Sequence, residues 1–339
     1  MTFPAVPIVA APMGGGPSTP ELVAAVSGAG GLGFLAAGYR TAEAVAEDVR
    51  ATRELTAAPI GVNVFVPGAP ADPATYAPYV ERLRAEGHPV GEPRWEDDAY
   101  AAKLDLLASD PVAVVSFTFG CPDAAVVRRL QAAGSTVWVT VTSVDEARAA
   151  VAAGADALVA QGVEAGAHRG SFADDAGDLT LLVLLQLLRA ATDVPLVASG
   201  GIASGAGVAA ALAAGARAAQ LGTAFLRCPE AGTAPVHRDA VATAAPTRIT
   251  RAFTGRQARG IVNRFLAEHT DGAPAAYPEG HHATAPVRAA ARAAGDADAL
   301  HLWAGQAHEL AREVPAGELV RALAAEARDA LAAAGSALR

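Results

Sequence analysis

Lysine is nearly missing from this 339-residue chain: Lys103 is the only one, so every other fixed positive side chain is an arginine. With alanine so abundant, that reads as the codon bias of a GC-rich genome. Its chemical consequence is that no second lysine can form a Schiff base. Cysteine is scarce too, and Cys121 and Cys228 alone make neither a disulfide framework nor a metal cluster. No basic-then-apolar leader opens the sequence, and the expected setting is reducing and cytoplasmic. The longest apolar stretches are broken by Gly, Asp or Arg before the roughly 20 residues of a membrane helix, so no span is expected. Positive charge is in deficit: a net charge of −9 and a pI near 5.4 argue against a basic face for nucleic acid.

What is present is apolar and small. Hydrophobic residues make up 52% but aromatics only 5%, the composition of a globular chain whose helices pack closely through alanine. Eight strand-like apolar runs recur, most followed by an alanine-rich helical segment. They are "VPIVAAPM" (6–13), "GLGFLAAG" (31–38), "PIGVNVFV" (59–66), "VAVVSFTFG" (112–120), "TVWVTV" (136–141), "ALVAQGV" (157–163), "PLVASGG" (195–201) and "AAQLGTAFL" (218–226). Helix starts are marked by Thr19 before Pro20, and by Ser143 with Glu146 three residues on.

Strands apolar on both faces, alternating with helices, imply a parallel sheet covered by helices, and eight of them can close. The expected fold is α/β: a TIM (β/α)8 barrel with an inserted helical segment and a C-terminal helical extension over the barrel mouth. The rival, an open doubly wound sheet, lacks its glycine fingerprint after the first run. "GAGGLG" at 28–33 ends a helix and leads into a strand, the reverse of the required context. Residues 1–226 are expected to form the barrel, with an insertion at about 67–111 carrying helices near 75–86 and 96–108. Residues 227–339 are expected to form lid loops followed by helices near 286–294, 298–312 and 316–336, packing on the barrel rather than folding separately.

In such a barrel the loops after the strands converge on one opening, and the informative residues fall there. Ala11, Pro12 and Met13 close the first run, Asn63 lies near the end of the third, and Gln161, Gly166 and His168 fall at or just after the sixth. Gly200 and Gly201 close the seventh run, and Gln220, Leu221, Gly222 and Thr223 lie in the eighth. Glycine-freed N–H groups after the seventh and eighth strands are the usual phosphate grip of this fold, although each site also reads as a plain αβ turn. Asn63 and Gln161 are amides on apolar strands and need partners, which a planar heterocycle such as flavin, or a side-chain network, supplies.

His168 sits in "EAGAHRG", where a flexible backbone can bring the imidazole over a bound ring for general-base work or anion binding. His281 and His282 show no third ligand at metal spacing, and His88, His237, His269, His301 and His308 default to solvent; no metal is expected. Cys121, beside Pro122, reads as a small core-rim residue without an activating base. Arginines 238, 251, 256, 259 and 264 read as salt-bridge partners and lid anchors.

At these residues the sequence resembles the nitronate monooxygenase family, formerly called 2-nitropropane dioxygenases. The resemblance covers nearly the whole chain, through "APMGGGPSTPELVAAVSGAGGLGFLAAG", "GVNVFVP", "VSFTFGCP", "VTSVDEARAAVAAGADALVAQGVEAGAHRGSF", "VASGGIASGAGVAAALAAGARAAQLGTAFL", "TRAFTGRQARGIVNRF" and "LWAGQA". It implies an FMN-dependent barrel enzyme that uses O2 to oxidise a small alkyl nitronate, or a nitroalkane, to a carbonyl compound and nitrite. It further implies that Asn63, Gln161, Gly166, Gly201 and Gln220 to Thr223 bind FMN, that Met13 lies near the isoalloxazine, and that His168 is the active-site histidine. One departure stands out: where the best-studied branch has tyrosines and a lysine in the C-terminal region, residues 284–307 hold neither, and Arg288 and Arg292 are the positive side chains there. The alternatives are an FMN-dependent enoyl-acyl-carrier-protein or quinone reductase using NAD(P)H, and a flavin-binding sensor or carrier. A homodimer is compatible with these residues.

Overall fold

The computed structural model describes residues 2–174 and 177–337. Eight parallel strands close into a barrel: β1 (Ile8–Ala10), β2 (Leu32–Ala36), β3 (Ile60–Phe65), β4 (Val114–Thr118), β5 (Thr136–Val141), β6 (Ala157–Gln161), β8 (Leu196–Ser199) and β9 (Ala218–Leu221). Closure is made by β1, which pairs with β2 through Val9 and Leu32 and with β9 through Ile8 and Ala219. Each strand lies inside one of the eight apolar runs.

Alternate residues turn inward. Val9, Leu32, Phe34, Val114, Trp138, Val159 and Val197 form one buried cluster, and their neighbours in sequence pack outward against the helices. Small residues make room: a Cβ on Gly61 would fall 2.3 Å from the Phe34 ring, and one on Gly33 would fall 2.5 Å from the Val23 carbonyl of α1 (Pro20–Gly28). Helix α1 starts where its cap predicts, with the Thr19 hydroxyl accepting from the Leu22 N–H. Helix α6 (Val144–Ala153) is capped by Ser143 in the same way, and its Glu146 carboxylate reaches back to the Thr142 N–H.

Between β3 and β4 the chain forms α3 (Pro73–Ala85) and α4 (Tyr100–Ser109). Lys103 of α4 is fully buried, with Nζ 2.7 Å from Asp98 Oδ2. Burial outweighs this pairing and holds the Asp98 carboxyl above its usual range. The other Asp98 oxygen accepts from the Tyr39 N–H at 2.8 Å, so the insertion is tied to the loop after β2.

The tail is more regular than its sequence suggests. The stretch expected to be loop-rich contains α9 (Pro235–Val241), β10 (Thr247–Thr250), β11 (Ala258–Ile261), α10 (Arg264–His269) and the start of α11 (Glu279–Ala294). Strands β10 and β11 join β7 (Ala167–His168) in a three-stranded antiparallel sheet. The helix expected near 298–312 is instead extended chain with a single 3-10 turn, His308–Leu310. Its N–H groups are drawn to other elements: Ala304 bonds the Arg259 carbonyl, Gly305 the Thr223 hydroxyl and Gln306 the Glu164 carbonyl. The last helix, α12 (Ala316–Ala337), packs on the barrel flank against α8 (Gly205–Ala213) and α1, while α11 and the segment around Trp303 face the mouth.

Gly33→Ala is expected to lower stability by about 1–3 kcal/mol, because the added methyl meets helix backbone that cannot yield. Gly68→Ala, whose Cβ would meet nothing within 4 Å, should stay within about 0.5 kcal/mol of the parent. Urea denaturation of both variants checks this.

Candidate active site

The loops after the barrel strands enclose a cavity of about 270 Å³. Ala11, Pro12, Met13, Asn63, Gln161, Gly166, His168, Gly200, Gly201, Gln220, Leu221, Gly222 and Thr223 all line it. The site residues expected from sequence therefore converge in space.

Two lining loops present unused main-chain donors. The N–H groups of Gly201, Gly222 and Thr223 donate to no protein acceptor among the described residues. Gly200 and Gly201 hold φ of 113° and 68°, which only glycine adopts without strain. The first turn of α8 is less free than its sequence suggests, because the Ser204 hydroxyl takes the Gly207 N–H and Glu326 takes the Gly205 N–H. Met13 closes this end, its sulfur 3.7 Å from where a Gly222 Cβ would stand.

The amides divide their tasks. Asn63 Nδ2 donates to the hydroxyls of Ser116 and Thr118 at 2.9 and 3.0 Å, and its Oδ1 accepts no protein hydrogen bond among the described residues. Gln220 lines the cavity with neither end of its amide bonded to a described residue. Gln161 is committed to the protein: Nε2 donates to the His168 carbonyl at 3.2 Å, and Oε1 accepts from the Gly170 N–H at 2.8 Å. Its partners are main-chain groups of the histidine loop rather than the side-chain network anticipated, and the amide thereby shapes that loop.

That loop is held from several sides. Glu146 accepts from the Phe172 N–H at 2.7 Å, and Asp174 from the Gln257 N–H at 2.9 Å. Arg256 donates to the Ser171 carbonyl, Arg251 pairs with Asp174, and Arg169 N–H bonds the Gln257 carbonyl at 2.8 Å. His168 Nε2 lies 2.9 Å from the Thr254 hydroxyl. The imidazole is ringed by Phe119, Tyr277 and Trp303, with centroids 5.6, 5.7 and 5.8 Å away. Burial first, then the charges of Arg256 and Arg288, pull its pKa down to about 3, so the ring is neutral near pH 7.

Several lining residues escaped the sequence reading. Tyr39 and Phe119 end barrel runs, where strand-end position was a usable signal; both take left-handed backbone, with φ of 64° and 74°. Ala167, beside the histidine, does the same with φ of 61°. Such strain collects at sites where surrounding contacts over-determine it. Thr254, His281, His301 and Trp303 come from the tail, and nothing local announces them. Tyr39 stacks on His281 at 4.1 Å and accepts from the Tyr277 hydroxyl at 3.0 Å. Burial pushes the Tyr39 phenol up to about 12 and holds Tyr277 well above its usual value, so both keep their protons, that of Tyr277 on the Tyr39 oxygen.

The expectation that the remaining histidines face solvent is corrected. His237, His269 and His308 are buried because the tail folds back and their ring nitrogens meet backbone carbonyls, as His237 Nε2 meets Trp303 at 2.9 Å. His281 and His301 line the cavity, where burial and then Arg288 hold both well below the usual histidine range. Arg288 is nine-tenths buried; it donates to the His281 carbonyl at 2.6 Å, while its Nε has no partner among the described residues. Burial lowers it to about 10. Among the described residues lining the cavity there is no carboxylate, whereas Arg288 and Arg292 both do. An anionic ligand would be complementary to this lining.

The family model described as nitronate monooxygenase matches residues 2–326. A nitronate monooxygenase of Pseudomonas aeruginosa is 44% identical, covering 95% of this chain and 96% of that protein. One of Paraburkholderia phytofirmans is 42% identical, covering 96% and 93%. Among solved structures, a nitroalkane oxidase from Streptomyces ansochromogenes superimposes with a TM-score of 0.95 at 52% identity, covering 98% of each chain. FabK from Thermotoga maritima superimposes with a TM-score of 0.77 at 27% identity, covering 98% of this chain and 96% of that one.

The depressed histidines set a pH dependence. His168 and His237, at about 3 and about 4, stay unprotonated in the fold while the unfolded chain takes up protons below about 6.5. Their contribution is complete above pH 6.5 and is lost as pH falls toward 4. The urea midpoint should drop from pH 7 to pH 5, with a shallower drop in His237→Gln; equal midpoints at both pH values would contradict the neutral assignment.

Proposed function

The chain belongs to the nitronate monooxygenase family, and on that premise we propose that it is an FMN-dependent oxidoreductase. It uses O2 to convert alkyl nitronates, and the neutral nitroalkanes that give rise to them, to carbonyl compounds and nitrite. The observation that carries this reading is the meeting of a neutral, aromatic-ringed His168 with two loops of unbonded N–H groups in one cavity without carboxylates.

The residues present fit FMN. Gly201, Gly222 and Thr223 offer their unbonded N–H groups to a phosphate. Asn63 Oδ1 and the Gln220 amide are left for polar edges of a ring, and Met13 and Ala11 supply apolar contact. Bound there, FMN supplies the one-electron chemistry that couples an electron-rich nitronate to O2.

The protein's own part is to position charge and move one proton. With a neutral nitroalkane, the α C–H bond breaks, the proton passes to the His168 imidazole, and the electron pair moves into the nitro group to give the nitronate. The imidazolium formed is disfavoured by burial and by Arg288, and the adjacent nitronate anion offsets that cost. Arg288, whose Nε is unbonded among the described residues, and the neutral Tyr39 phenol hold the nitronate oxygens, while the Tyr277 hydroxyl donates to Tyr39 and orients it. They take the place of the lysine that this chain lacks in its C-terminal region. Phe119 and Trp303 keep water from the reacting carbon.

His168→Asn should retain the FMN absorbance and lose roughly 100-fold or more in kcat/KM on neutral nitroalkanes, with a much smaller loss on preformed nitronates. Unchanged turnover of nitroethane removes His168 from the proton transfer. Arg288→Gln should raise KM for nitronates about tenfold or more with little change in kcat. Anaerobic mixing with NADH decides against the reductase reading: the flavin should stay oxidised, and rapid bleaching would favour the reductase.

A further inference from the structure

Helix α3 ends in a Schellman cap that fixes two metal-ligand side chains beside each other. The His88 N–H bonds the Leu83 carbonyl and the Gly87 N–H bonds the Arg84 carbonyl, both at 3.0 Å. Gly87 takes the left-handed turn this requires, with φ of 84°. Glu86 and His88, on either side of it, therefore project from a rigid frame rather than a loose loop. A third ligand arrives from α10: His269 Nε2 lies 2.7 Å from Glu86 Oε2, and His88 Nε2 lies 3.9 Å from that same oxygen. One ligand atom from each of the three residues lies within 4.8 Å of the others.

The surroundings orient all three. His269 is 2% exposed and stacks on Phe265 at 4.3 Å. Its Nδ1 faces the Phe265 carbonyl at 3.0 Å. A carbonyl only accepts, so Nδ1 donates to it; the Glu86 carboxylate also only accepts, so the proton between it and Nε2 is the one that a cation would displace. Metal-bound histidines make this outer bond to backbone, which fixes the tautomer. Arg82 Nε donates to the other Glu86 oxygen at 2.8 Å and sets the carboxylate plane. His88 packs edge-on against His269 at 5.5 Å, which brings its ring beside the other two side chains.

We propose that Glu86, His88 and His269 form a divalent-cation site, with zinc as the chemical class that two imidazoles and one carboxylate suit best. Ligand atoms around tetrahedral zinc stand roughly 3.3 Å apart at bonds of about 2.0–2.1 Å, so the two distances to Glu86 need to change by only about half an ångström each. Three protein ligands leave one position for water. The site lies at the surface, on the opposite side of Phe253 and Phe265 from Trp303, and it does not share residues with the FMN cavity. It joins the inserted segment to the tail where Tyr79 already bonds the Ala252 carbonyl at 2.8 Å. The cation is a clasp: it fastens α3 to the stretch that continues into Phe253 and Thr254 behind His168.

The test uses FMN-loaded protein freed of metal by chelator. Equilibrium dialysis against zinc should give close to one tightly held equivalent. Cobalt(II) in its place should show the intense visible ligand-field band of a four-coordinate site. Glu86→Gln and His88→Ala alter exposed or half-buried cap residues and should keep the fold and the FMN spectrum. Each should weaken zinc uptake by about tenfold or more and remove the zinc-dependent rise in thermal midpoint. Absence of a tight equivalent, or uptake that both variants leave unchanged, overturns the site and leaves Glu86 and His269 as an ordinary ion pair with Arg82.

Discussion

An irregular stretch of backbone has to be held still for this site to exist. Between Gln161 and Asp174 the chain leaves the barrel and returns toward α7 (Leu181–Ala191) without forming a helix, so its peptide groups must be answered by something else. The answer comes from side chains on distant elements: the Gln161 amide from β6, Glu146 from α6, and Arg256 from the turn before β11. A two-residue strand, β7, then pairs with β11 and fixes the direction in which His168 points. Barrel and tail thus share one hydrogen-bonded seam, and the imidazole stands on it.

The seam explains an electrostatic contrast. The whole chain is acidic, with a net charge of −9, yet its cavity collects guanidinium groups and neutral imidazoles with no lining carboxylate among the described residues. Arg256 is buried with its guanidinium 4.2 Å from the centre of the Phe119 ring and donates to loop carbonyls. Among the described residues Arg288 bonds only the His281 carbonyl and ring. Such charges are costly to bury and a bound anion offsets the cost, so the protein holds stability in reserve for its ligands. Left-handed backbone at Tyr39, Phe119 and Ala167 is a second reserve of the same kind.

The barrel was readable because each strand is a short, mainly apolar run whose few polar residues carry no charge, and because Thr19 and Ser143 mark helix starts by chemistry that acts within a few residues. The glycine loops after β8 and β9 were readable for the same reason: glycine at a strand end is a local requirement. What could not be read were contacts made across long sequence separations. His301 and Trp303 reach the cavity because residues 300–307 lie extended against β11 and Glu164, although their alanine and leucine content favours a helix. His237 looks like a surface residue until α9 folds under Trp303. Gln161 was recognised as needing a partner, but whether a ring or a peptide would satisfy it depended on where Gly170 came to lie.

The burial of Lys103 gives the folded chain an unusual outer chemistry. Its one ammonium side chain is enclosed against Asp98, beneath the segment that secures Tyr39, so the fixed cations offered to solvent are guanidinium groups. Reagents that acylate primary amines find no lysine on the outside of the native molecule. Acylation of Lys103 therefore marks the moments when the inserted segment lifts away, and its rate reads how often the wall behind Tyr39 opens.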